Sequence, residues 1–384
     1  MKRILAWLLV AGGLLALAYY AFLAPRPASQ LSAVVQSTPA PLSGFARATG
    51  PRVFSFPADL GAHPEYQTEW WYYTGNLQTA EGRHFGYQLT FFRRALLPQA
   101  QWLPRSSQWA TEQIYMAHFT ITDVQDQAFY THERLARGAA GLAGAQAEPY
   151  SVWLEDLRVE ASGPDQYQLY AASDAVRLQL SLHDIKGPVL QGIEGYSQKG
   201  EDPGDASYYY SQTHLETSGQ IEIGAQSYRV QGLSWKDHEF STSVLSDDMV
   251  GWDWFSIQLD NDYELMLYQL RRADGSLAPR ASGLLVAPDG STTLLGPGDF
   301  NIVPQGRWRS PRSGGVYPAR WQLGLPAYGL TLEVSPLLAD QELDTRIIYW
   351  EGAVAVQGSY GGAPVAGFGY VELTGYAEPF NGDF

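Results

Sequence analysis

The densest run of titratable side chains in the sequence is Ser234-Trp235-Lys236-Asp237-His238-Glu239-Phe240. Along an extended strand, successive side chains point to opposite faces. Trp235, Asp237 and Glu239 then share one face, and Lys236, His238 and Phe240 share the other. Two carboxylates spaced two apart on a buried face repel each other and lose hydration, so at least one is pushed towards its neutral form. A carboxylic acid that keeps its proton near neutral pH can protonate a substrate. Asp237 and Glu239 are therefore candidate catalytic acids, with His238 a candidate for positioning water. The architectural alternative is an ion-pair network at a strand end.

A second run, His63 to Leu77, packs two tryptophans, three tyrosines, two carboxylates and a histidine into fifteen residues. Alternation puts Glu69, Trp71 and Tyr73 on one face and Trp70, Tyr72 and Thr74 on the other. The first face is expected to line a cavity and the second to meet packing partners. Glu69 is expected to pair with Arg93 or Arg94, because buried carboxylates are generally paired. His63 and Glu69 stand as secondary candidates for ligand contact, with Trp71 and Tyr73 as wall residues. Tyr208 and Tyr210, from Ser207-Tyr208-Tyr209-Tyr210-Ser211, offer apolar area tipped by a hydroxyl, as ligand-binding surfaces do. Trp235, Trp252 and Trp254 complete the expected wall. His118, alone in Ala117-His118-Phe119, is either a ligand contact or a satisfied core histidine.

Other catalytic signatures fail. His238-Glu239 opens an H-E-x-x-H pattern, but Thr242 stands where the second histidine belongs. Gly195-Tyr196-Ser197-Gln198-Lys199-Gly200 is one residue too long for a G-x-S-x-G nucleophile elbow. None of the seven histidines has metal-ligand spacing, so neither a metal nor a cofactor is expected.

These residues sit in a chain that reads as all-β. Hydrophobic residues make up 45% of the 384, aromatic residues 13% and charged residues 17%, with 24 Tyr and 12 Trp. Abundant Tyr, Trp and Gly with little charge suit strands and tight turns. Runs such as Gly86 to Phe92, Val152 to Val159 and Glu264 to Leu270 alternate with period two, and Gly, Asp, Asn and Pro separate them. His132 to Ala147, rich in Gly and Ala, reads as a loop with a short turn.

The formal net charge of −15 makes nucleic acid an unexpected partner, since phosphate repels an acidic chain. Anionic lipid is equally unsuited. With no cysteine, disulfides, thiolate nucleophiles and cysteine-held metals are excluded. The N-terminus reads as an export signal: Met1-Lys2-Arg3 is basic, and Ile4 to Ala24 carries no charge. Ala16-Leu17-Ala18 fits an A-x-A cleavage site, while the apolar run is also long enough for an anchor. A periplasmic protein, or one anchored to the outer face of the inner membrane, is expected. Membrane contact would come only through this segment. Residues 1–25 are read as signal or anchor and residues 26–50 as a linker.

The remainder contains itself twice. Trp70-Trp71-Tyr72-Tyr73, a turn and Tyr87-Gln88-Leu89 are echoed by Trp252-Asp253-Trp254-Phe255, a turn and Tyr268-Gln269-Leu270. Val230 to Asp237 and Val365 to Glu372 both read V-x-G-x-x-aromatic-x-acid. Glu372 thus occupies the place of Asp237 without a neighbouring histidine. Two tandem antiparallel β-barrel domains follow, 51–242 and 243–384, each of a size that closes its own edges and can enclose one apolar ligand.

As an ordered set, the motifs resemble the carotenoid 1,2-hydratase (hydroxyneurosporene synthase) superfamily, and more closely its AttH-like branch of predicted secreted hydrolases. The residues concerned are His63, Glu69-Trp70-Trp71-Tyr72, Thr74-Gly75, Lys199-Gly200, Ser207 to Ser211, Trp235, Asp237-His238-Glu239, Gly251 to Phe255, Tyr349-Trp350-Glu351-Gly352 and Glu372 to Tyr376. The resemblance implies two lipocalin-like barrels. It implies an apolar small-molecule ligand, an isoprenoid or lipid. It also implies a cofactor-free hydratase, a hydro-lyase rather than a hydrolase, with Asp237 and His238 at the family's Asp-His position. The alternative it leaves open is a non-catalytic periplasmic lipid carrier or an accessory of an envelope ABC transporter permease.

Overall fold

The computed structural model describes residues 43–380, apart from Arg105 and residues 243, 244, 246 and 247. The export signal or anchor and most of the linker, residues 1–42, lie outside the described residues. None of the described helices is long and apolar enough to cross a membrane.

The described residues form two antiparallel sheets. The first holds β1 (Thr68–Gln78), β2 (His84–Ala95), β3 (Gln113–Asp123), β4 (Ala128–Arg137), β5 (Ala143–Ala147), β6 (Tyr150–Leu154), β7 (Leu157–Gly163), β8 (Gln166–Ala172), β9 (Val176–Asp184), β10 (Pro188–Leu190), β11 (Tyr196–Gln198), β12 (Ala206–Ile223) and β13 (Gln226–Ser241). The second holds β14 (Met249–Leu259), β15 (Glu264–Arg272), β16 (Ser282–Val286), β17 (Thr292–Leu295), β18 (Asn301–Arg309), β19 (Val316–Leu325), β20 (Leu330–Pro336), β21 (Glu342–Asp344), β22 (Ile348–Tyr360) and β23 (Ala363–Thr374). The first sheet curls into a nearly closed barrel and the second into a half-barrel, the tandem lipocalin-like plan expected from the sequence.

Both halves are built the same way. The opening strand of each lies between a hairpin partner and the closing strand of its half: β1 between β2 and β13, β14 between β15 and β23. Tight turns let these hairpins form. Between β1 and β2, Gly82 adopts φ +86, a conformation that a side chain would strain. In register, Asp237 on β13 lies opposite Tyr72 on β1, and Glu372 on β23 lies opposite Trp254 on β14. The internal repeat read from the sequence is therefore a repeat of position in the fold.

His132 to Ala147 departs from its expected loop, being mostly the two strands β4 and β5. β4 pairs with β3 from Ile114 opposite Arg137 to Asp123 opposite Ala128. Those ladder hydrogen bonds outweigh the weak β propensity of Ala and Gly.

The barrel interior is filled. Trp71, Tyr73, Phe85, Tyr87, Leu89, Phe91, Leu178, Leu180 and Tyr210 belong to one buried core. The opposite face of β1 and β2 meets the second sheet across a seam, where Tyr72, Tyr209, Trp235, Trp254, Met266, Tyr268, Leu270 and Tyr370 pack together. The sheets approach so closely that a Cβ at Gly86 would lie 2.5 Å from that of Ala353. The face of β1 expected to meet packing partners does so across the seam, but the cavity expected beside the other face lies here instead. The Glu69, Trp71 and Tyr73 face is solid core, and the Trp70 and Tyr72 face borders open space. Large inward side chains fill a small barrel, whereas two curved surfaces set side by side cannot match everywhere.

Candidate active site

A cavity of about 100 Å³ lies in the seam. The first half supplies Trp70 and Tyr72 from β1, Thr90 and Phe92 from β2, Tyr209 from β12, and Asp237 and Glu239 from β13. The second half supplies Trp252 and Trp254 from β14, Tyr268 and Leu270 from β15, Tyr349 and Glu351 from β22, and Glu372 and Thr374 from β23. Strand register makes many of these pseudo-equivalent. Tyr72 matches Trp254, Asp237 matches Glu372, Tyr209 matches Tyr349, and Ser211 beside Asp237 matches Glu351 beside Glu372. Lys199, just beyond β11, also reaches the cavity.

Hydrogen bonds across the seam fix the walls. Tyr72 donates its hydroxyl to Glu351 Oε1 at 2.6 Å, and Trp254 Nε1 donates to the Tyr209 hydroxyl at 3.1 Å. His118 Nδ1 lies 2.8 Å from the Tyr349 hydroxyl. Asp237 accepts from Tyr209 at 2.5 Å, from Trp235 Nε1 at 2.7 Å, and from Ser211 Oγ. Lys199 Nζ sits 2.9 Å from Glu239 Oε1.

The cavity favours neutral acids. Burial pushes the Asp237 carboxyl up to about 7, against the three hydrogen bonds that favour its charge. Glu372 is pushed up to about 8 by burial, with the Glu239 and Asp237 charges adding to it. Glu351 is driven well above the ordinary glutamate range by burial and by Glu372. Burial opposes the Lys199 charge, yet Glu239 beside it holds its pKa above the usual lysine value. A protonated carboxyl in an aromatic wall can deliver a proton to an apolar ligand.

A second titratable cluster lies inside the first barrel. His63 Nδ1 is 2.7 Å and His238 Nε2 is 2.8 Å from Glu69 Oε1. Arg93 Nε donates to Glu69 Oε2 at 2.8 Å, so Arg93 is the arginine expected beside Glu69. Burial works against the His63 charge, but Glu69 and Asp59 outweigh it and hold its pKa up at about 8. Burial pulls His238 down to about 4. The three groups have the donor set and proximity to hold a metal ion, although no sequence spacing marked them. With His63 charged and Arg93 on the other carboxylate oxygen, the cluster closes as a hydrogen-bonded network; a divalent ion there would have to displace the His63 proton and would face the Arg93 guanidinium. Lys236 Nζ, buried nearby, lies 4.7 Å from the Tyr150 ring centre, and burial pulls its pKa down to about 7.

Of the sequence candidates, Asp237, Glu239, Trp252 and Trp254 line the seam cavity. His238 points from the opposite face of β13 into the barrel and bonds Glu69 and Tyr210. It therefore does not sit beside the two acids. His63, Glu69, Trp71, Tyr73 and Tyr210 lie on that same interior side. Tyr208 joins a small cluster with Tyr66 and Phe240. Trp235 and His118 support the cavity through Asp237 and Tyr349. Tyr209, between the two tyrosines singled out, is the one that reaches the cavity. Glu372 was legible through its match to Asp237. Glu351 and Lys199 became site residues only when the strands were paired.

Residues 47–376 match the family model described as AttH-like. Among solved structures, the chain is similar to a protein of Nitrosomonas europaea assigned to AttH. The TM-score is 0.77 and the identity 34%, over 86% of this chain and 100% of that one. It also shares its fold with kievitone hydratase from Nectria haematococca, with a TM-score of 0.64 and 14% identity, over 87% and 98% of the two chains. CghA gives a TM-score of 0.53 and 13% identity, over 88% and 97%. No curated protein sequence matches.

Proposed function

The chain belongs to the AttH-like family, and on that premise we propose that its seam cavity adds water to a carbon–carbon double bond of an apolar ligand. The observation that carries this reading is the pair of pseudo-equivalent carboxyls, Asp237 and Glu372, on the cavity wall among Trp70, Tyr72, Trp252 and Trp254, where burial raises their pKa values to about 7 and about 8. A fold shared with a protein named as a hydratase makes hydration the first reaction to test.

Asp237 gives its proton to one alkene carbon, and the π electrons form the new C–H bond. The neighbouring carbon becomes a cation, steadied by the aromatic faces. A water oxygen bonds to that carbon, and its surplus proton returns to the Asp237 carboxylate. The sum is one water added, with the acid restored. Glu239, fixed by Lys199, is placed to hold the water. That role passes to it from His238, whose ring is on the other side of the strand.

The test uses acyclic isoprenoids carrying trisubstituted double bonds, farnesol first, incubated with the protein in ¹⁸O-labelled water. The expected product is heavier than the substrate by one labelled water. Ligand that binds and is recovered at unchanged mass would support the carrier reading instead.

A further inference from the structure

The cavity holds more carboxyl groups than cations. Among the described residues lining it, Asp237, Glu239, Glu351 and Glu372 carry carboxyls, and Lys199 alone carries a cationic side chain. The repeat shows where the excess arises. The place held by Ser211, which donates to Asp237, is held in the second half by Glu351 beside Glu372. A second acid thus stands where the first half has a hydroxyl. Glu351 Oε1 accepts from Tyr72, but its Oε2, fully buried on the cavity wall, has no hydrogen-bond partner.

Lys199 shows how the same walls hold a cation. Its Nζ lies 4.6 Å from the Tyr268 ring centre, 5.5 Å from that of Tyr209 and 2.9 Å from Glu239. Aromatic faces and a carboxylate are how cages seat ammonium groups. In the second half, Glu351 and Glu372 are accompanied by Trp252, Trp254 and Tyr349 on the same cavity. That half therefore has these two acids and three rings on the cavity and, among the described residues, no ammonium of its own, with Thr374 standing where the first half has Glu239.

We propose that the cavity binds a small organic ammonium ion, seated against Glu351 and Glu372 and the rings beside them. The inference rests on the functional reading only for the location of the site. The two are chemically compatible: an ammonium ion shares the charge and much of the shape of a tertiary carbocation, and its charge draws a proton off the Glu351 and Glu372 pair, which burial otherwise keeps neutral.

Isothermal titration of the full chain with benzyltrimethylammonium chloride, and with its neutral carbon isostere neopentylbenzene, tests this. The ammonium ion is expected to bind about tenfold tighter or more. Glu351→Gln is expected to remove most of that preference and leave neopentylbenzene unaffected. Circular dichroism melts check that the variant folds, and Glu372→Gln serves as the second variant if it does not. Equal affinity for the two probes, no binding of the ammonium ion, or a preference that survives both substitutions would overturn the inference. Hydration of an alkene without ammonium preference would sink this inference and leave the functional reading standing. Ammonium preference without hydration would do the reverse.

Discussion

Arg93→Met is expected to cost about 3–5 kcal/mol of folding stability, the range for removing one partner of a buried ion pair. Arg93 and Glu69 are both completely buried. The guanidinium donates to Glu69 through Nε at 2.8 Å, and to the His63 and Tyr66 carbonyls through Nη2 at 2.8 and 2.9 Å. Burial alone would drive the Glu69 carboxyl up, but Arg93, His63 and His238 hold it well below the usual carboxylate range. Methionine would fill much of the space and supply none of the charge. The sign of the pH dependence follows. A group whose folded pKa is depressed stabilises the fold above its unfolded value of about 4.5 and loses that contribution as pH falls. The gap between wild type and variant should therefore be widest near neutrality and narrow in acid. Urea denaturation from pH 3 to pH 7 measures it. A gap under about 1 kcal/mol at pH 7, or one independent of pH, would remove Glu69–Arg93 as the anchor of the barrel interior.

Glu372→Gln is expected to change stability in the opposite direction. In the wild type the folded state keeps this proton up to about 8, whereas the unfolded chain releases it near 4.5. A group whose folded pKa is raised contributes fully below its unfolded value, and the contribution is lost as pH rises through the folded one. Across a window of that width the full loss is about 4–5 kcal/mol. Glu372 keeps partial exposure, and solvent screening reduces the figure to roughly 2–4 kcal/mol. Glutamine has no proton to lose, so the variant should gain that much on the wild type between pH 4.5 and pH 8. Asp237→Asn should show the same trend between about 4 and 7. Its gain will be smaller, because an amide cannot accept from Tyr209, Ser211 and Trp235 together. Comparing each variant with wild type cancels the titration of His84 and His238, which burial lowers. Stabilisation of this kind accompanies loss of a functional acid when a site is built against the stability of the fold. Thermal melts at pH 5 and pH 8 would detect it, and a difference that does not grow with pH would contradict it.

The fold was largely legible because period-two alternation and turn residues act locally. The repeat was legible too, since Val230 to Asp237 and Val365 to Glu372 hold the same register against β1 and β14. Alternation along β13 also separated Asp237 and Glu239 from His238. What the sequence could not reveal was which face of a strand meets open space. Trp71 and Tyr73 read as a ligand wall just as well as Trp70 and Tyr72 do, and only the packing of one curved sheet on another distinguishes them. The same limit applied to Tyr209 between Tyr208 and Tyr210. Partnerships across long stretches of chain were out of reach. Tyr72 and Glu351 are 279 residues apart, and no local pattern joins them. The His63, Glu69 and His238 cluster escaped notice for the same reason, since His238 lies 169 residues beyond Glu69.

The central claim is that two carboxylic acids in the seam cavity titrate far above the ordinary carboxylate range, near neutral pH. Carboxyl ¹³C labelling of aspartate and glutamate, followed by NMR titration of the full chain from pH 4 to pH 9, reads this directly. Asp237→Asn and Glu372→Gln assign the two signals. The expected result is one aspartate titrating near 7 and one glutamate near 8. Both signals already in their ionised positions at pH 6 would contradict it.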